Sequence, residues 1–242
     1  MIRPYYRHLP LFLGFLLISI SPISIAFDKD EEARLIEKLN RISSRDMLIE
    51  KVEPSEAEGV YIVTMGSNEY YVFSHGDYIL VGDLYDTVRQ VDVGQERSNK
   101  RIAEAISAVS EDNMIMMGEP LEKYVTVFTD TDCFYCQKFH LEVEALQNEG
   151  IQVRYLMFPR SGIGTESYIE AVSVWCSDDQ ADAMTVAKAG GTVKQVQCEN
   201  PVADQYEFGQ SIGIRGTPTI ILQNGKVING YAPPDVLVAE SG

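Results

Sequence analysis

Between residues 114 and 230 the chain alternates between two hydrophobic periods, and their order leaves few folds open. "MIMM" (114–117) and "YVTVFTD" (124–130) are apolar, β-branched runs of strand length. "CQKFHLEVEALQNEG" (136–150) changes to helical spacing and closes on Gly150. "IQVRYLMF" (151–158) is another buried strand, and helical stretches follow around 167–176, 178–189 and 203–211. "TPTIIL" (217–222), the turn pair Asn224-Gly225 and "KVING" (226–230) then form a closing hairpin.

Strand, helix, strand, helices and an antiparallel hairpin is the order of a thioredoxin fold carrying a helical insertion. The rest of the chain reads differently. A short amphipathic helix is expected over 31–41, with Leu35, Ile36 and Leu39 on its apolar side. "GVYIVTM" (59–65), "EYYVFS" (69–74) and "YILVG" (78–82) read as strands, separated by Gly66-Ser67-Asn68 and His75-Gly76-Asp77. A unit of about 65 residues with so few core positions is marginal alone and would gain from pairing with another chain. Residues 94–112 are polar apart from a stripe of Ile102, Ala105, Ile106 and Val109, and read as a linker helix.

The first 26 residues carry Arg3, Arg7 and His8 ahead of an apolar run that ends in Ser24 and Ala26, the pattern of a cleaved secretory signal. An uncleaved anchor is the competing reading, since the run sits at the lower limit for spanning a bilayer. Cleavage would remove two positive charges and no acidic ones, taking the formal charge from −16 to −18. A chain so acidic, with no Lys/Arg run, is a poor ligand for nucleic-acid phosphate, so no nucleic-acid partner is expected.

Export makes disulfides admissible, and the four cysteines allow three connectivities. The economical one joins Cys133 to Cys136 and Cys176 to Cys198. A 176–198 bridge would close a loop of about 23 residues, worth roughly 3 kcal/mol in the chain-entropy picture. Cys133 and Cys136 fall where a buried strand gives way to a helix. The free N–H groups of a first helical turn stabilise a thiolate there and lower its pKa from about 8.5 to between roughly 3.5 and 7.5. Cys133 is then the nucleophile and Cys136, one turn on, the resolving thiol. A zinc site would need two more ligands, and after cleavage only His75 and His140 remain with no second CxxC. No metal and no cofactor is expected. A purely structural 133–136 clip would enclose too short a loop to constrain the unfolded chain much. Pro218, at the start of a strand after Gly216-Thr217, is the remaining element that bears on catalysis.

"VTVFTDTDCFYCQKFH", "VRYLMFPRSGIG" followed by "VWCSDD", and "GTPTIILQNGKVINGYAPP" together resemble the bacterial periplasmic disulfide isomerases of the DsbC/DsbG group, over essentially the whole mature chain. The resemblance implies an α/β (α+β) architecture in four parts: a signal peptide (1–26), a cystatin-like α+β dimerisation domain (27–93), a linker helix (94–112) and a thioredoxin-like catalytic domain with a helical insertion (113–242). It implies a V-shaped homodimer, misfolded disulfide-containing exported proteins as substrates, and a DsbD-type membrane reductase as partner. Carried over by position, Cys133 and Cys136 are catalytic, Cys176–Cys198 is the structural disulfide, and Thr217, Pro218, Phe134 and Tyr135 contact substrate.

This chain also departs from the group. Phe134 stands where the isomerases commonly have glycine and the DsbG-like members proline, and Gln137 replaces a histidine. Asp132 is positioned to cap the helix, and its charge opposes a Cys133 thiolate. Only eight residues follow Pro234, so the closing helix is expected to be shortened or absent. Disulfide isomerisation in the periplasm is the leading function. A DsbG-like reductase of oxidised single cysteines and a holdase with incidental thiols are the competing ones.

Overall fold

The structure is a computed structural model that describes residues 29–42, 49–66 and 68–241. The expected signal peptide and Ser67 of the first turn lie outside the described residues. Among those described, no helix is long and apolar enough to cross a membrane.

Helix α1 (Lys29–Ile42) buries Leu35 and Leu39 against a four-stranded antiparallel sheet. The sheet has the order β1 (Lys51–Pro54), β2 (Val60–Met65), β3 (Asn68–Phe73), β4 (Ile79–Leu80). Among the described residues, Leu35, Leu39, Val52, Val63, Met65 and Val72 are the buried cluster between helix and sheet. Strand β1 escaped the sequence reading because "KVEP" carries two charges and a proline. Only Ile79 and Leu80 of the expected third strand pair, so Tyr78 and Val81 on either side are left exposed at the sheet edge. A two-stranded ribbon, β5 (Tyr85–Asp86) and β6 (Val91–Asp92), leads into α2 (Val93–Ser107). Asp92 caps α2, its carboxylate accepting from the Gln95 N–H at 3.0 Å.

A five-stranded sheet follows. Its order is β11 (Val227–Asn229), β10 (Thr219–Leu222), β8 (Lys123–Thr129), β9 (Ile151–Met157), β7 (Ile115–Met117). Only β8 and β9, at its centre, run parallel. Alternation along these strands separates two cores. Val125, Val127, Val153, Tyr155 and Met157 face one side, under Phe139 and Leu146 and under Val172 and Met184 of the insertion. Phe128, Leu156 and Ile221 face the other, where α2 inserts Ile106. The apolar stripe of α2 therefore covers a sheet face. Gly225 lies so close to it that a Cβ there would sit 1.8 Å from the Asn99 carbonyl oxygen.

One expectation needs correction. The helix expected over 136–150 is two helices, α3 (Phe134–His140) and α4 (Val143–Asn148), parted by a turn in which the Glu142 N–H bonds the Phe139 carbonyl. The turn throws Leu141 into solvent and lets Phe139, His140, Val143 and Leu146 all reach the core. The closing helix is short, one of the two outcomes expected: α8 (Pro234–Glu240) has seven residues, starts on proline and buries Leu237 fully. Helices α5 (Glu166–Trp175), α6 (Gln180–Lys188) and α7 (Val202–Ser211) complete the domain, and Cys176 is bonded to Cys198 across the insertion with Cα atoms 5.7 Å apart.

Candidate active site

Strand β8 delivers the chain to the site. Thr129, Asp130 and Thr131 at its end are buried, and Cys133 is the N-cap residue of α3. Cys133 is 2% exposed, and Cys136, one turn into the helix, is fully buried. Both are free thiols. Between them Phe134 and Tyr135 project into solvent as an edge-to-face pair with ring centroids 5.4 Å apart. Opposite lies the loop before β10, where the Thr217–Pro218 peptide is cis and the Thr217 carbonyl oxygen is 3.3 Å from Cys133 Sγ, which donates to it only when protonated.

The two thiols differ sharply in acidity. Cys133 is lowered from 9.0 to about 5, chiefly by the hydrogen bond from Cys136 and against the effect of burial. Thr217, the Cys136 backbone N–H and the Arg160 guanidinium act in the same downward direction. Cys136 is driven far above the ordinary thiol range, first by burial and then by the same bond to Cys133. At neutral pH the pair is one thiolate beside one thiol, the state needed for nucleophilic attack by the first.

Asp132 does not cap the helix. Its side chain makes no cap hydrogen bond, because Cys133 itself occupies the cap position. Asp132 is exposed, its N–H held by Asp130 Oδ1 at 3.1 Å and its carbonyl by Arg160 Nη2 at 2.7 Å. The acid that organises the loop is Asp130. It is 3% exposed, and its Oδ2 accepts from the Arg160 backbone N–H at 2.9 Å and from Nε at 3.0 Å. That pair ties the CxxC approach to the segment after β9 and brings the guanidinium near Cys133.

Three more polar residues pack behind the site, His140 and Lys188 buried and Gln137 half-buried. His140 sits between the Tyr155 hydroxyl and Thr185 Oγ1, 3.0 Å from each, and burial lowers it to about 4, so it is neutral. Gln137 donates to the Thr131 carbonyl at 3.3 Å. Lys188, 4% exposed, comes from the last turn of α6 and donates to Thr129 Oγ1 and to the Asp130 carbonyl, both at 2.7 Å. A Lys/Asp pair of helix ends and loops is ordinary surface chemistry in a sequence, and only the fold buries it.

A β-sheet of this order with a free CxxC at the first helix, facing a cis-proline loop, defines a thioredoxin-fold thiol–disulfide oxidoreductase. Residues 111–240 match the family model of the thioredoxin-like domain, and residues 26–95 match that of the disulfide bond isomerase protein N-terminal domain. The thiol:disulfide interchange protein DsbC of Escherichia coli (strain K12) is 32% identical over 222 residues, covering 91% of this chain and 92% of that protein. The DsbC of Salmonella typhimurium (strain LT2) is 37% identical over 190 residues, covering 78% and 79%. A crystal structure of a disulfide interchange protein from Neisseria gonorrhoeae superposes with a TM-score of 0.49 at 29% identity, over 55% of this chain and 98% of that one. The chain belongs to the DsbC family of thiol:disulfide interchange proteins.

Proposed function

We propose that this protein is a periplasmic disulfide isomerase in which Cys133 is the nucleophile and Cys136 the resolving thiol. The observation that carries the reading is the split acidity of two adjacent free thiols, one near 5 and one far above its usual range. The Cys133 thiolate attacks one sulfur of a wrong substrate disulfide. A Cys133–substrate bond forms, the substrate bond breaks, and the second substrate sulfur leaves as a thiolate. That thiolate attacks another disulfide in the substrate. Attack of a further substrate thiolate on the mixed disulfide then returns Cys133 as a thiolate, with no net electron transfer. Attack by Cys136 instead closes the 133–136 disulfide and leaves the substrate reduced by two electrons, which a DsbD-type membrane reductase would restore. A buried, weakly acidic Cys136 gives the substrate thiols time to act first, which favours isomerisation over the reductase alternative.

Thr217 and Pro218 face Cys133 and, with exposed Phe134 and Tyr135, form the surface on which an extended substrate segment lies. Cys176–Cys198 is the structural bridge of the insertion. The division of the chain is a signal peptide (1–26), a dimerisation domain (27–93), a linker helix (94–112) and a catalytic domain (113–242). Support for a homodimer comes from the small N-terminal core and from the apolar edge of Tyr78, Ile79, Leu80 and Val81.

Recovery of ribonuclease activity from scrambled, fully oxidised ribonuclease in glutathione buffer tests the reading. Recovery by the mature protein and none by Cys133→Ser is expected. No recovery from a folded, fully reduced protein would shift the function to the reductase or the holdase reading.

A further inference from the structure

Lys188 is a buried amine that the exchange steps above do not use, and its placement is specific. Helix α6 packs on α3, and the contact has a register: His140 of α3 meets Thr185 of α6 at 3.0 Å. One turn back along α3 is Cys136, and one turn on along α6 is Lys188. The α3–α6 contact therefore brings Lys188 and Cys136 into one neighbourhood, where each acts on the charge of the other. The Asp130 peptide joins them a second time, since its carbonyl accepts from Lys188 Nζ while its N–H acts on the Cys136 sulfur. Both hydrogen-bond acceptors of Lys188, Thr129 Oγ1 and the Asp130 carbonyl, are neutral. They take two of the three N–H donors of the ammonium and leave the third for a developing thiolate.

We propose that Lys188 is a positioning residue for the resolving step, supplying the buried countercharge on which the Cys136 thiolate forms. The inference rests on Cys133 being the nucleophile and Cys136 the resolving thiol. In that step Cys136 loses its proton to solvent, and Lys188 is the ammonium beside the resulting thiolate. The thiolate attacks Cys133 Sγ, the 133–136 bond forms, the Cys133–substrate bond breaks, and the substrate sulfur leaves as a thiolate that takes a proton from solvent. Lys188 thereby sets how long the mixed disulfide lives, and so the balance between isomerisation and reduction.

Titratable groups face Lys188 from each element around it: Cys133, Cys136 and His140 on α3, Asp130 after β8, and Glu170 on α5. Burial lowers Lys188 from 10.5 to about 8, and Cys136, Asp130, Cys133 and Glu170 pull it back up. It also opposes the upward shift of Cys136. Amine and thiol therefore titrate as a pair, and once the pair has lost one proton the thiolate–ammonium form is at its ceiling.

The test mixes the reduced protein with excess oxidised glutathione, quenches with acid, and follows the Cys133–glutathione adduct by mass spectrometry. Lys188→Met should form the adduct at the wild-type rate but resolve it about tenfold more slowly at pH 7. Wild-type resolution should climb about tenfold per pH unit and level off above about pH 8, whereas the variant should keep climbing. Equal resolution rates and profiles would overturn the inference while leaving Cys133 as nucleophile. Absence of any adduct on Cys133 would overturn the underlying reading as well. If Lys188→Met does not fold, the wild-type profile decides alone, and a rate still climbing beyond pH 9 overturns the proposal.

Discussion

Replacing Cys136 by alanine removes the hydrogen bond that contributes most to holding Cys133 as a thiolate. A hydrogen bond to a charged group contributes about 1.5–3 kcal/mol, and one pKa unit corresponds to about 1.36 kcal/mol. The loss is therefore about 1–2 units, which moves Cys133 from about 5 to between about 6 and 7. It should not return to 9.0, because Thr217, the backbone N–H at position 136 and Arg160 still favour the thiolate. The assay is the pH dependence of iodoacetamide alkylation at Cys133, with the thiolate absorbance near 240 nm as a check. A midpoint that stays at about 5 would refute the sulfur–sulfur bond as the principal cause. One near 9.0 would refute the contribution of the other three groups. The same shift fixes a stability window. The folded value is depressed, so the reduced wild-type protein gains stability between about pH 5 and 9.0 and loses it as pH falls through about 5. In Cys136→Ala the lower edge of that window should rise to about 6.5.

Removing the Cys176–Cys198 bridge with two alanines should lower stability to urea by about 3 kcal/mol while leaving the alkylation midpoint of Cys133 unchanged. His140 is buried neutral, so the unfolded chain takes its proton first on acidification. Stability should fall as pH drops from 6.5 towards about 4, and His140→Gln should flatten that part of the urea profile. Light scattering should give the mass of a dimer at micromolar concentration, and Leu80→Asp on the exposed edge of the N-terminal sheet should give that of a monomer.

Much of this arrangement was legible in the chain because it is local. The CxxC, the strand that leads into it and Pro218 at a strand start are each read within a few residues. The approximate spans of α5, α6 and α7 follow likewise from helical spacing. What escaped depends on contacts between distant segments. Asp132 looked like the helix cap because it precedes Cys133, yet Asp130 and Arg160, 30 residues apart, fix the loop so that the cap position falls on Cys133. Lys188 was not singled out in the sequence, and only the packing of α6 on α3 makes it a buried amine. The break at Leu141–Glu142 has no glycine or proline to announce it; it arises because both halves of the helix have apolar residues to bury.

The central claim is that Cys133 is the nucleophile and Cys136 waits behind it. Trapping tests it most directly. Cys136→Ser and Cys133→Ser variants, each mixed with a disulfide-containing substrate and quenched in acid, are mapped by mass spectrometry for the modified cysteine. The account predicts a lasting adduct on Cys133 in the first variant and none on Cys136 in the second. Adducts forming on Cys136 at a comparable rate would contradict it.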